Sequence, residues 1–248
     1  KKFLRQVVLS ATYRQDSRRG SAEMDHEQVR DPQNRLLSRG PSGRLSAEML
    51  RDLALSASGL LVRRVGGEPV NPYQPAGLWQ ENNTMSPPFV QSKGEGLYRR
   101  SLYTTWKRTT PAPNMLVFDA NGRESCTVRR SSTNTPLQAL VLLNDVQFVE
   151  ASRVLAESLV KQPGTDEHRL YAAFRRLAGR DPAPSEIVIL LQALADQRTH
   201  FRQNVLAAGR LIAVGERPAD ATFRPSELAA WTVLVQTVLN SDVVVWKR

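Results

Sequence analysis

Thr135-Pro136-Leu137-Gln138-Ala139-Leu140-Val141-Leu142-Leu143-Asn144-Asp145 is the run that decides the fold class. Thr135 can cap a helix N-terminus, Pro136 suits the first helical position, where no N–H is needed, and Gln138 stands where a capping-box partner belongs. The spacing predicts one helix from here to about Gln162, ended by Pro163-Gly164, with Leu137, Leu140, Val141, Phe148, Ala151 and Leu155 as its buried stripe. Asn144 falls on or beside that face. A buried amide needs partners, and neighbouring backbone supplies them more often than a ligand does.

The helical pattern continues on both sides. Downstream, Leu170, Phe174 and Leu177 follow a Thr165 or Asp166 cap. Pro184-Ser185-Glu186 opens a helix with Ile187, Leu190, Leu191 and Leu194 on one side, which continues or restarts through Phe201, Val205, Leu206 and Ile212. Pro225-Ser226-Glu227 opens the last, burying Leu228, Trp231, Val235 and Leu239. Upstream, Ser46 caps a helix whose stripe reads Met49, Leu50, Leu53, Ala57, Leu60 and Leu61, stopped by Gly66-Gly67. Residues 2–14 place Phe3, Leu4, Val7, Val8 and Ala11 at the spacing of an amphipathic helix packed on one side. Gln15 to Arg44 is polar, turns at Asp31-Pro32 and reads as a loop.

Residues 68–134 break this pattern. Pro69, Pro72, Pro75, Pro87, Pro88, Pro111 and Pro113 forbid a long helix. A structureless connection of that length is uncommon in a compact domain, so the stretch reads as an ordered, loop-rich insertion held by Tyr73, Trp79, Phe89, Tyr98, Tyr103 and Trp106. Leu97 to Thr109 has room for a short strand or helix, and Met115-Leu116-Val117-Phe118 reads as a strand. The expected architecture is mainly α: one helical-bundle domain over residues 1–248 with a long proline-rich, irregular insertion and a few short strands at most.

The totals bound the function. With 248 residues and 41% apolar content the chain can build a real core. Its longest apolar runs fall short of the ~20 residues that cross a bilayer, so no transmembrane segment is expected. It opens with Lys1-Lys2-Phe3-Leu4 already inside a helix, which reads as a fragment of a longer protein. One cysteine, Cys126, and three histidines, His26, His168 and His200, lack metal-site spacing, so no metal is expected. The net charge of +10 is nearly all arginine and spread over many segments, which favours an ordinary solvated surface over a dedicated nucleic-acid site.

Charge and aromatic groups do gather in Tyr98-Arg99-Arg100-Ser101-Leu102-Tyr103-Thr104-Thr105-Trp106-Lys107-Arg108 and again at Arg123, Arg129 and Arg130. Guanidinium forks grip carboxylate or sulfate, and rings stack on sugar faces. Arg99, Arg100, Tyr103, Trp106, Lys107, Arg108, Arg123, Arg129, Arg130, Asn134 and Asn144 are therefore the ligand-binding candidates. The competing reading has the same arginines pin the insertion to helix ends and acids. Asp119 and Glu124 are weak catalytic candidates, able to act as a glycosidase pair only at the right separation; salt bridging is the commoner fate of acids beside arginines. Cys126 reads as a small buried hydrophobe.

The runs 98–103, Trp106-Lys107-Arg108-Thr109, Phe118-Asp119-Ala120 and 123–145 closely resemble a planctomycete-specific domain of unknown function. Pro72-Tyr73-Gln74-Pro75, Gly77-Leu78-Trp79 and Glu227-Leu228-Ala229-Ala230-Trp231-Thr232 extend the resemblance over nearly the whole chain. That domain is typically the C-terminal part of large secreted proteins carrying cytochrome c modules, often in settings of polysaccharide breakdown. The resemblance implies an exported protein, periplasmic or extracellular. It implies a cytochrome c-type domain of the same longer protein as partner, with the haem there and no cofactor in this chain. The tail Leu239-Asn240-Ser241-Asp242 departs from the family pattern. Three functions follow as expectations: an accessory domain that binds carbohydrate or docks the cytochrome module; a glycan-active enzyme domain, hydrolase or dehydrogenase part, with its site at the insertion; and a polyanion or nucleic-acid binder.

Overall fold

The computed structural model describes residues 1–17, 29–79, 88–123 and 125–247. It is mainly helical, with a single two-stranded sheet among the described residues. The chain divides into two compact units, one of Lys1–Leu45 with Val245–Arg248 and one of Ser46–Val244.

The smaller unit holds α1 (Lys2–Leu9) and an antiparallel pair of β1 (Gly43–Arg44) and β2 (Trp246–Lys247), with Gly43 opposite Lys247 and Arg44 opposite Trp246. Helix α1 is shorter than its apolar spacing predicts and buries none of its residues: Phe3 is 72% and Leu4 65% exposed. Ser10 ends it in extended backbone, its hydroxyl bonding back to the Val7 carbonyl. The turn at Asp31-Pro32 is built by the Asp31 carboxylate, which accepts from the backbone N–H groups of Arg35 and Leu36.

The larger unit is the helical bundle. In chain order it comprises α2 (Ala47–Ser58), α3 (Pro113–Val117), α4 (Pro136–Asn144), α5 (Val146–Val160), α6 (Asp166–Leu177), α7 (Pro184–Gln203), α8 (Val205–Ile212) and α9 (Pro225–Leu239). At the C-terminal end a short turn, α10 (Asp242–Val245), leads into β2. Helix α9 is apolar on almost every side and is the bundle's centre, packed on α5, α7 and α8. Leu228, Ala229, Ala230, Trp231, Leu234, Val235, Val238 and Leu239 are all buried. At its mouth Arg198 of α7 forks between Glu227 in the first turn of α9 and Asp166 in the first turn of α6, joining three helices through their ends.

Several elements of the larger unit differ from the sequence expectation. The single helix foreseen from Pro136 to Gln162 is two, α4 and α5, because Asp145 takes extended backbone and serves both ends. Its N–H donates to the Val141 carbonyl and its carboxylate accepts from the Gln147 N–H. The break turns Leu137 and Leu140 outward, and leaves Gln138 and Leu142 fully buried in their place. The strand foreseen at 115–118 is the helix α3: Pro113 starts it, and the Ala112 carbonyl accepts from both Met115 and Leu116. In α2 the buried residues are Ala47, Leu50, Arg51, Ala54, Leu55 and Ser58, while Met49 is 59% exposed.

Helices α7 and α8 restart at Asn204, whose side-chain amide donates to the His200 carbonyl, so Val205 and Leu206 face solvent and Ala208 packs inward.

Candidate functional site

The insertion is carried on buried polar groups of the bundle. Helix α5 runs through the interior with Gln147, Glu150, Arg153 and Glu157 inside it. Both Tyr73 and Tyr98 donate their hydroxyls to the Glu150 carboxylate, at 3.0 and 2.9 Å, and the Arg217 N–H adds a third bond at 2.8 Å. Burial, with the Glu150 carboxylate beside them, raises both phenols above the ordinary tyrosine range. A carboxylate removed from water keeps three donors, which is the satisfaction its burial demands.

Arg51 of α2 does the same work for residues 94–103. That segment folds as two short 3₁₀ turns, Gly94–Tyr98 and Ser101–Tyr103. Arg51 donates to the carbonyls of Leu97 and Arg99, to the Ser101 hydroxyl and to the Gln147 side chain, so its donors reach the turns and α5 together. Burial pushes its guanidinium down to about 10 against the opposing pull of Asp52 and Asp145. Asp52 then accepts from both the N–H and the hydroxyl of Ser101.

On this support Tyr103, Thr104 and Thr105 lie alongside Val70, with Val70 N–H to the Tyr103 carbonyl at 2.8 Å and Thr105 N–H to the Val70 carbonyl at 2.9 Å. Arg99 is 1% exposed and lies against Tyr103, its guanidinium carbon 3.8 Å from the ring centroid. It donates to the carbonyls of Gly66 and Glu68. The Tyr103 hydroxyl accepts from the Gly66 N–H at 2.8 Å. Gly66 and Gly67 both take positive φ, +80° and +87°, which lets the loop wrap that guanidinium.

The outer surface of this assembly is an open cleft of about 590 Å³, lined by Gly67, Pro69, Leu102, Tyr103, Thr104, Thr105, Trp106, Arg108 and Arg123. Trp106 donates its indole N–H to the Gly122 carbonyl at 3.1 Å, and the Arg123 guanidinium lies over its ring. Thr104 is 5% exposed and its hydroxyl oxygen has no hydrogen-bond partner among the described residues. Among the described residues no carboxylate lines the cleft.

Of the sequence-derived candidates, Tyr103, Trp106, Arg108 and Arg123 converge on this cleft. Arg99 lies behind it as a pin, buried beneath the tyrosine. Lys107 is directed to Trp79, donating to its carbonyl and lying over its ring, where Trp79 and Phe89 bound a second, smaller concavity of about 350 Å³. Arg130 pairs with Glu48 at 2.6 Å. Arg100, Arg129 and Asn134 are exposed and lie outside the cleft lining. Asn144 is exposed, not buried: the break at Asp145 carries it off the core face, and its amide donates to the Leu140 carbonyl. Asp119, at φ +57°, uses its carboxylate on the N–H and hydroxyl of Thr133 and is not in the cleft. Glu124 lies outside the described residues. Cys126 is exposed, not buried, because residues 125–135 run over the surface.

Sequence reasoning missed Arg51, Gln147 and Glu150, which hold the insertion, and the buried Arg153 and Glu157 beside them on α5; Gln138 forms the capping box expected of it and is also buried. Their signal was available: Gln147, Glu150, Arg153 and Glu157 recur every three or four residues along an otherwise apolar helix. Among the described residues no group of acids, histidines and cysteine is arranged to hold a metal, and no helix is long and apolar enough to cross a membrane.

The family model described as "PSD1: Protein of unknown function (DUF1553)" matches residues 1–194. No curated protein and no solved structure matches the chain.

Proposed function

We propose, for a chain that belongs to the PSD1 family of proteins of unknown function (DUF1553), that the larger unit is a carbohydrate-binding module whose site is the Tyr103–Trp106–Arg123 cleft. The observation that carries this is the convergence of two rings and two guanidinium groups on one open concavity. Aromatic faces provide the apolar contact that sugar rings take. The engagement of Asp119 by the N–H and hydroxyl of Thr133, away from the cleft, supports binding over acid–base cleavage by that carboxylate. An exported setting, beside a cytochrome c-type domain of the same longer protein that carries any haem, belongs to the same proposal and rests on the sequence resemblance alone.

A glycan array probed with the wild-type chain and with Trp106→Ala, each at two salt concentrations, tests the reading. The proposal expects sugar-dependent retention that survives moderate salt and disappears in the variant. Retention of every polyanion alike, with a steep salt slope and no loss in Trp106→Ala, contradicts it.

A further inference from the structure

The charge state of the sugar can be inferred from what the cleft's cations do not touch. This inference rests on the carbohydrate reading above and names the substrate class. Several arginines elsewhere in the larger unit are engaged, Arg130 with Glu48, Arg180 with Glu186, Arg198 with Asp166 and Glu227, and Arg99 with backbone carbonyls, while others, Arg100 and Arg129 among them, are exposed outside the cleft. Arg108 and Arg123 differ. Among the described residues neither is hydrogen-bonded to a carboxylate or in an ion pair with one, and both line the same cleft. Arg123 lies over the Trp106 ring by its face, which leaves its N–H edge available for a ligand. Thr104 lines the same cleft and is 5% exposed, and its buried hydroxyl oxygen has no hydrogen-bond partner among the described residues.

We infer that the cleft takes an acidic saccharide, a sugar chain bearing carboxylate or sulfate ester groups, with Trp106 stacked on a sugar face and Arg108 and Arg123 bonded to the anionic substituents. Guanidinium pairs with such oxyanions in bidentate fashion. Neutral sugars would use the ring and leave both cations solvated.

Titration calorimetry on the full chain with matched probes tests this. One pair is a galacturonate hexasaccharide and its full methyl ester; the other is a sulfated galactan hexasaccharide and its desulfated form. Each pair keeps the backbone and removes the charge. The inference expects the charged member of at least one pair to bind roughly tenfold tighter or more than its neutral counterpart, with the preference collapsing in the double variant Arg108→Gln, Arg123→Gln. The pair that shows it tells carboxylate from sulfate. Trp106→Ala should weaken charged and neutral forms together. Equal affinity for charged and neutral members, unchanged in the double variant, overturns the acidic-ligand inference and leaves the carbohydrate reading standing. Binding of none of the four probes overturns both. Both arginines are exposed, so a cooperative thermal transition within a few degrees of the wild type shows that the double variant is folded.

Discussion

The Arg123 guanidinium carbon lies 4.6 Å from the centroid of the Trp106 ring, while the indole N–H of that ring donates to the carbonyl of Gly122, one residue earlier. One turn therefore holds the ring by its edge and by its face. Arg123 takes φ +61°, so the turn spends local backbone strain to place that contact.

It follows that Arg123→Gln should leave the fold almost intact, since an exposed cation–π contact contributes only about 0.5–1 kcal/mol. Thermal unfolding should shift by no more than a few degrees. Indole fluorescence should change, because the ring loses its cover.

Arg51→Leu should be far more costly. It strands the carbonyls of Leu97 and Arg99, the Ser101 hydroxyl and the Gln147 side chain, in a region where water does not replace them. We expect a loss of roughly 3 kcal/mol or more in urea unfolding. The Val62 amide, bonded to the Tyr98 carbonyl, should also exchange faster with solvent.

Two glycines in neighbouring segments should respond with opposite sign. A Cβ at Gly215 would lie 2.4 Å from the Glu150 carboxyl carbon at φ +99°, so Gly215→Ala should cost about 2–4 kcal/mol and disturb the tyrosine pair on Glu150. Gly209, inside α8, has nothing within 4 Å of the added methyl, and Gly209→Ala should stabilise by about 0.5–1 kcal/mol. Chemical denaturation of the two variants gives both signs.

Acid should release the α6–α7–α9 clamp. The Arg198 hydrogen bond, assisted by Arg169, holds the Asp166 carboxyl below its usual value. A depressed folded pKa means that the contribution is complete above the unfolded value and is lost as pH falls through the folded one, below about pH 4. Asp166→Asn should therefore cost about 1 kcal/mol, after solvent screening, near pH 6 and progressively less towards pH 2. Denaturation midpoints of both proteins across that range should converge at the acid end.

The helical class was readable because capping chemistry and apolar spacing agree at Ser46, Pro136, Thr165, Pro184 and Pro225. What could not be read came from polar groups that behave as core. Arg51 falls in the buried set 47, 50, 51, 54, 55 and 58; discounting it as a charged residue turns the apparent stripe towards Met49 and Leu53. Asp145 broke a run whose spacing looks continuous, because one side chain that caps the following helix outweighs the propensity of the residues around it. At the site, the local run 98–108 pointed to the right neighbourhood, but its arginines divide by partner. Arg99 goes inward to carbonyls, Lys107 goes to Trp79, and Arg108 faces the cleft. Those partners are thirty or so residues away in sequence, and spacing carries no trace of them.

A ligand-bound crystal structure of the full chain, soaked with the charged hexasaccharide that binds, is the most direct test. The account predicts sugar density stacked on Trp106, with an anionic group within hydrogen-bond distance of Arg108 or Arg123. A saccharide seated elsewhere, with Trp106 and both guanidinium groups still facing solvent, would contradict it.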